Sequence, residues 1–221
     1  MKSMELDLIK LTAALLEDLP GETAQFRMAP MARKRISEMP LGDDSIRKAA
    51  VMIPLFRNSE SDCLMLTVRS VYEGVHSGQI SFPGGKFDEN EIDPIQVALR
   101  EMEEEVGIRA DQVQIIGMLS PLYIPVSKMH VQPVIAWVHD ANWIANTYEV
   151  AQLLEVPIHQ LFQTNVIKKK RMEFSPGIPV EVPYFDLQGH VVWGATAMII
   201  SELLSVLQKN SMFIEKAQGK F

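Results

Sequence analysis

The sequence predicts an α+β fold, layers of strands and helices rather than a doubly wound parallel sheet, and three observations predict it. First, strand-like and helix-like stretches mix along the chain without the regular alternation of a doubly wound parallel sheet. Second, the 221 residues slightly exceed one average domain and suffice for a sizeable core. Third, 47% of the residues are apolar and 22% charged, an ordinary globular balance that excludes widespread disorder, collagen-like repeats and coiled coils. No internal repeat or low-complexity linker interrupts the chain. The expectation is therefore one domain over residues 1–221, with an N-terminal helical extension over about residues 1–46.

The elements follow in order. Residues 4–18 carry Leu6, Ile9, Leu11, Ala13 and Leu16 near helical spacing and read as an amphipathic helix that stops at Leu19, Pro20 and Gly21. Residues 20–46 are rich in proline and charge and read as an extended, poorly periodic segment. Apolar runs at 49–56, 63–68 and 80–82 read as strands, the last ending at Pro83, Gly84 and Gly85. The period turns helical over 94–106. Strands are expected again at 113–119 and 131–138, and a short helix broken at Pro157 over 149–162. Residues 166–174 and 178–185 flank a Ser-Pro-Gly turn and read as a hairpin, and 195–208 reads as a closing helix. Lys168, Lys169, Lys170 and Arg171 form a four-residue basic run. It reads first as a solvated strand edge and second as a phosphate-steering patch.

Charge and composition narrow the function classes. With 28 acidic against 21 basic residues the net charge is −7, which argues against a nucleic-acid backbone as partner. It leaves room for a small phosphate ligand, because a bound metal reverses the local sign. The lone Cys63 excludes an internal disulfide and a cysteine-based zinc site. No stretch approaches the roughly 18 apolar residues of a membrane span, so no membrane is expected. The opening residues lack a signal-peptide apolar core, and the expected location is cytoplasmic.

The chemistry concentrates between Gly84 and Ile108. Asp93 and Pro94 form a helix-start signal and Gly107 a stop. At about 100° per residue, Ile95, Leu99, Met102 and Val106 share one face. Glu101, Glu104 and Glu105 share another, where spacings of three and four bring their carboxylates together. Arg100 pairs with Glu104 across one turn but does not neutralise three anions. A hard divalent cation would, and magnesium takes oxygen ligands and bridges to substrate phosphates. An ordinary solvated glutamate face is the plainer alternative. The longer order Arg-Glu-apolar-x-Glu-Glu-x-Gly-apolar, from Arg100 to Ile108, weighs against it.

This stretch resembles the Nudix box. Gly85 and Glu91 match its opening, and the interval from Glu91 to Arg100 is one residue longer than in the general pattern. The coenzyme A pyrophosphatase-like branch of the Nudix hydrolases shares that longer interval. Leu64 to Ser70, followed by Gly78, Gln79, Ile80, Ser81, Phe82, Pro83, Gly84 and Gly85, resembles the second signature of the same branch. Weaker matches lie at 25–30, 149–157 and 193–197. One departure is Gly74, which stands where the branch usually carries a basic residue.

The resemblance implies a Nudix fold, a mixed β-sheet sandwiched between helices, and metal-dependent hydrolysis of the diphosphate bond in coenzyme A or its derivatives. The products would be 3′,5′-ADP and a phosphopantetheine. ADP-ribose or another nucleoside diphosphate derivative is the alternative substrate, and a non-catalytic nucleotide- or partner-binding module is the alternative of another class. Carried over by position, the implied catalytic residues are Glu101, Glu104, Glu105 and Arg100, the last orienting a carboxylate by a fork-like pairing. Glu101, Glu104, Glu105, the Gly85 carbonyl and Glu149 are the implied holders of Mg2+ or Mn2+. Arg69, His76, Gly84 and Gly85 are the implied substrate contacts. Arg69 reads equally as an internal ion pair, and His76 as a hydrogen-bonded structural histidine. Glu91 is implied to act behind the carboxylates. A homodimer is compatible with this reading.

Overall fold

The computed structural model describes residues 4–30, 33, 46–70, 78–175, 178–209 and 213–215. In chain order the elements are β1 (Met4–Leu6), α1 (Leu8–Ala14), α2 (Gly21–Gln25), a 3-10 turn (Phe26–Met28), β2 (Arg47–Arg57), β3 (Asp62–Arg69), β4 (Ile80–Ser81) and β5 (Gly84–Lys86). They continue with α3 (Pro94–Val106), a 3-10 turn (Ala110–Gln112), β6 (Val113–Met118), β7 (Leu122–Ile124), β8 (Met129–Val138), β9 (Val150–Pro157) and a 3-10 turn (Ile158–Phe162). The last are β10 (Ile167–Ser175), β11 (Ile178–Leu187), β12 (His190–Trp193), α4 (Gly194–Lys209) and β13 (Phe213–Glu215).

The main sheet is mixed and has eight strands. Its central order is β4-β3-β2-β8-β6, with β5 on β2, β7 on β8 and β9 on β3. Strands β2 and β8 run parallel from Arg47↔Met129 to Phe56↔Val138, and the other pairs are antiparallel. The central strands read as nearly unbroken apolar runs because both faces are covered. On β2, Ala50, Met52 and Phe56 point to one core, and Ile53 and Leu55 to the other. The first core receives α3 through Val97, Ala98, Met102 and Val106. The second receives α1 through Leu11 and α4 through Met198, Ile199, Leu203 and Leu207. Helices thus lie on both sides of a mixed sheet, as expected.

A buried carboxylate ties the second layer together. Glu202 on α4 accepts from the Gly21 amide (3.0 Å), Gln25 Nε2 (2.8 Å) and the Ser120 amide (3.3 Å). One side chain thereby fixes α2 and the turn after β6 to the long helix, and its charge is met by donors.

Several expectations change. The first helix is short and begins only after Asp7, whose side chain caps the Lys10 amide. Ile9 and Leu16 remain exposed, so helical spacing there did not mean burial. Residues 21–28, expected to be extended, form α2 and the 3-10 turn. Residues 150–157, expected to be helical, form β9, paired with β3 from Cys63↔Pro157 to Arg69↔Val150. Val150, Leu154 and Val156 are buried against that neighbour, and the open edge of β3 overrides local helix preference.

Candidate active site

Helix α3 runs as expected from Pro94 to Val106. Asp93 accepts from the Ile95 amide at 2.9 Å, and Gly107 ends the helix in the left-handed region at φ +73°. A side chain at Gly107 would be strained there, and its Cβ would meet Ile144 Cβ at 2.8 Å. That close approach seats the 139–149 segment on the helix end. The Ile144 amide donates to the Val106 carbonyl and the Asn146 amide to the Glu105 carbonyl, both at 2.9 Å. Two otherwise orphaned helix carbonyls are thereby satisfied.

The three helix glutamates share one side but not one environment. Their side chains are 55% exposed at Glu104, 14% at Glu101 and 3% at Glu105. The buried face is rotated from the expected one. Val97, Ala98, Met102, Glu105 and Val106 are buried, and Ile95 and Leu99 are only partly covered. Glu105 therefore lies at the seam between core and solvent, with Oε2 buried and without a hydrogen-bond partner. Burial, followed in lesser measure by the charges of Glu101 and Glu149, pushes its carboxyl up to about 8 against the pull of Arg69 and the Gly84 amide. Burial also raises Glu101, against the pull of Arg100.

Arg100 is fully engaged. Its Nε and Nη2 form a fork on Glu91 at 2.9 and 3.0 Å, and Nη1 donates to Glu101 at 2.9 Å and Glu104 at 3.3 Å. Nη2 also donates to the Lys86 carbonyl at 3.1 Å. Glu91 in turn accepts from the Asp88 amide, and these bonds hold its carboxyl below the usual range. The guanidinium can position Glu101 and Glu104 against the 84–91 loop. The long Glu91-to-Arg100 interval still allows that fork.

Gly85 permits the closest approach in the site. A Cβ there would stand 2.1 Å from Glu101 Oε1, so glycine is what lets the carboxylate lie over the strand. At Gly84 a Cβ would meet the Ala50 carbonyl at 2.5 Å, because β5 pairs tightly with β2 from Val51↔Gly84 to Ala49↔Lys86. Opposite them, Arg69 Nη1 lies 3.8 Å from Glu105 Oε1, and Arg69 Nε is buried without a partner. Glu149 is exposed. Its carbonyl accepts from the Ser70 amide at 2.8 Å, and its charge is felt by both Glu101 and Glu105. His76 and Gly74 lie outside the described residues.

The arrangement thus brings together Glu101, Glu104, Glu105, Arg100, Gly84, Gly85, Arg69 and Glu149. The sequence reading missed Asn146, which docks the segment carrying Glu149. Its signal was the Asn-x-x-Glu spacing of Asn146 and Glu149, a capping-box pattern. The donor set fits a hard dication: buried and half-buried carboxylate oxygens, one of them unpartnered, under mutual repulsion. Among the described residues, no three acidic, histidine or cysteine side chains already enclose a common point.

The NUDIX domain model matches residues 46–173. An uncharacterized Nudix hydrolase NudL of Yersinia pestis (strain Pestoides F) is 38% identical over 159 residues, covering 71% of this chain and 78% of the relative. The protein of the same name from Yersinia pseudotuberculosis serotype O:1b gives the same values. Among solved structures, a MutT/nudix family protein from Enterococcus faecalis aligns with a TM-score of 0.49 at 14% identity, over 91% of this chain and 73% of that one.

Proposed function

This chain belongs to the Nudix hydrolase family, and from that premise we propose that it is a Mg2+- or Mn2+-dependent pyrophosphatase acting on coenzyme A or its derivatives. Members of the family are hydrolases of diphosphate linkages and generally use divalent metal. The finer reading adds the substrate and the residues. It is supported by the longer Glu91-to-Arg100 interval and by the residues 64–70 and 78–85 upstream of the box.

The observation that carries the chemistry is the buried Glu105 carboxyl with an unpartnered oxygen beside Glu101 and Glu149. Glu101, Glu104, Glu105, the Gly85 carbonyl and Glu149 would hold the metal. A dication supplies polarisation of the phosphoryl oxygens and acidification of water. A carboxylate among Glu101, Glu104 and Glu105 accepts the proton of the attacking water. Arg100 acts as a positioning residue, fixing Glu101 and Glu104 through its fork on Glu91. Arg69, His76, Gly84 and Gly85 would contact the anionic ends of the bridge. Water adds to one phosphorus, the P–O–P bond breaks, and two phosphomonoesters leave. With coenzyme A these are 3′,5′-ADP and a phosphopantetheine.

A second reading keeps the chemistry and changes the substrate to ADP-ribose or another nucleoside diphosphate derivative. It is favoured by Gly74, which offers no cation where a coenzyme A 3′-phosphate could use one. The test is a metal-dependent screen of diphosphates with products identified by mass spectrometry. Release of 3′,5′-ADP from coenzyme A is expected. Brisk cleavage of ADP-ribose without cleavage of coenzyme A rejects the first substrate and keeps the reaction. No cleavage of any diphosphate, with metal and nucleotide still bound, points to a binding module.

A further inference from the structure

The basic run at 168–171 has no part in the site described above. Its residues lie on β10, where Lys168 pairs with Asp186 at 2.5 Å and Lys169 with Glu181 at 2.7 Å. Lys169 and Glu181 also line a half-open recess of about 300 Å3 between the β10–β11 hairpin and the Phe26–Met28 turn. Phe26, Arg27, Arg33 and Pro183 form other parts of its wall. The recess belongs to the layer opposite the catalytic helix. Met28 packs in the core shared with α4, whereas α3 packs in the other core.

The charges of this recess are unbalanced. It presents Arg27, Arg33 and Lys169 against Glu181, and Glu181 is already engaged by Lys169. Among the described residues, the exposed Arg27 donates through Nη1 to Ser205 Oγ at 3.4 Å. Arg33 lies with its guanidinium carbon 6.0 Å from the Phe26 ring centroid, and its Nη2 donates to the Tyr123 carbonyl. Among the described residues, neither arginine has a carboxylate at ion-pair distance. Burial pulls Arg33 below its ordinary value, with the charge of Glu22 acting the other way. A guanidinium has five donors in a rigid fork, and among the described residues Arg33 gives a hydrogen bond to one neutral carbonyl. On a chain of net charge −7, two such arginines with a lysine at the rim form a local exception.

We propose that this recess is a second ligand site, distinct from the catalytic one, which takes the dianionic phosphate of a phosphomonoester or inorganic phosphate. The ring of Phe26 and the edge of Pro183 give it an apolar wall, and the Arg27 and Arg33 forks supply the charge-assisted donors. The site does not depend on which diphosphate the chain cleaves.

The test is calorimetric titration of the full chain, held metal-free by chelator, with inorganic phosphate and separately with AMP. Saturable binding that weakens with added salt is expected. Arg33→Gln and Arg27→Gln should each weaken it roughly tenfold or more, the usual loss with a charge-assisted bond. Glu105→Gln should leave it unchanged. AMP binding more tightly than phosphate, with the same loss in the arginine variants, identifies a nucleotide as the source. Equal affinities identify the phosphate group alone. If Arg33→Gln does not fold, Arg27→Gln and Lys169→Gln carry the test from the surface. Absence of saturable phosphate binding, or unchanged affinity in the folded arginine and lysine variants, overturns the proposal.

Discussion

Replacing Glu105 by glutamine should remove a pH dependence of stability as well as turnover. In the metal-free protein the folded carboxyl titrates at about 8, against an ordinary value of 4.5. Below the unfolded value the group is protonated in both states, and its neutral form suits the buried seam. Between the two values the folded state holds a proton that the unfolded state has released, so stability falls as pH rises through this window. Each unit is worth about 1.4 kcal/mol, which makes about 5 kcal/mol the ceiling for this rise, and relaxation around the ion reduces it to a few. Glutamine resembles the protonated acid and never ionises. Glu105→Gln should therefore match the wild type near about pH 5 and exceed its stability by a few kcal/mol near about pH 9.

Chelator-treated protein unfolded by urea at a series of pH values measures that difference. Adding Mn2+ should reverse the order at high pH. A dication bound by the wild-type carboxylate stabilises the folded state and releases protons, and the variant lacks that ligand. Stability profiles that run parallel from acid to alkaline pH, with equal gains from metal, would refute the reasoning about Glu105.

Two further substitutions probe the surroundings of this carboxylate. Gly85→Ala places a methyl group 2.1 Å from Glu101 Oε1, and the side chain must swing away. The expected result is a folded protein with turnover reduced by about two orders of magnitude, comparable to displacing a positioned group by an ångström, as steady-state kinetics will record. Arg100→Lys keeps one charge but loses the fork on Glu91 and the bridge to Glu101 and Glu104. It should lower kcat at least about tenfold with a stability change near 1 kcal/mol, since the guanidinium is partly exposed. Wild-type kcat in that variant, measured at saturating metal, would remove Arg100 from its positioning role.

The parts of the fold legible in the sequence are those with strong local signals. The helix at 94–106 has a capping aspartate, a first-turn proline and a terminal glycine, and the structure keeps all three in those roles. The hairpin at β10 and β11 was marked by its turn. The strand Val150–Pro157 was illegible because its identity is decided by the exposed edge of β3, far away in sequence. The first helix was overextended because Ile9 and Leu16 keep helical spacing with nothing packed over them. The site shows the same division. Spacing alone gathered Glu101, Glu104 and Glu105, but not their unequal burial. That depends on which face of α3 meets β2 and β8, and on the 139–149 segment closing the helix end. The contribution of Asn146 likewise exists only after folding has laid Ile144 against Gly107.

The central claim is that the acidic side of α3 seats a dication against a diphosphate bridge. Its most direct test is the anomalous scattering of Mn2+ in crystals grown with a non-hydrolysable diphosphate. The account predicts a peak within coordination distance of Glu105 and at least one of Glu101 and Glu104, and also of a bridge oxygen, that disappears in Glu105→Gln. A peak elsewhere on the protein, or ordered diphosphate with these side chains turned to bulk water, would contradict it.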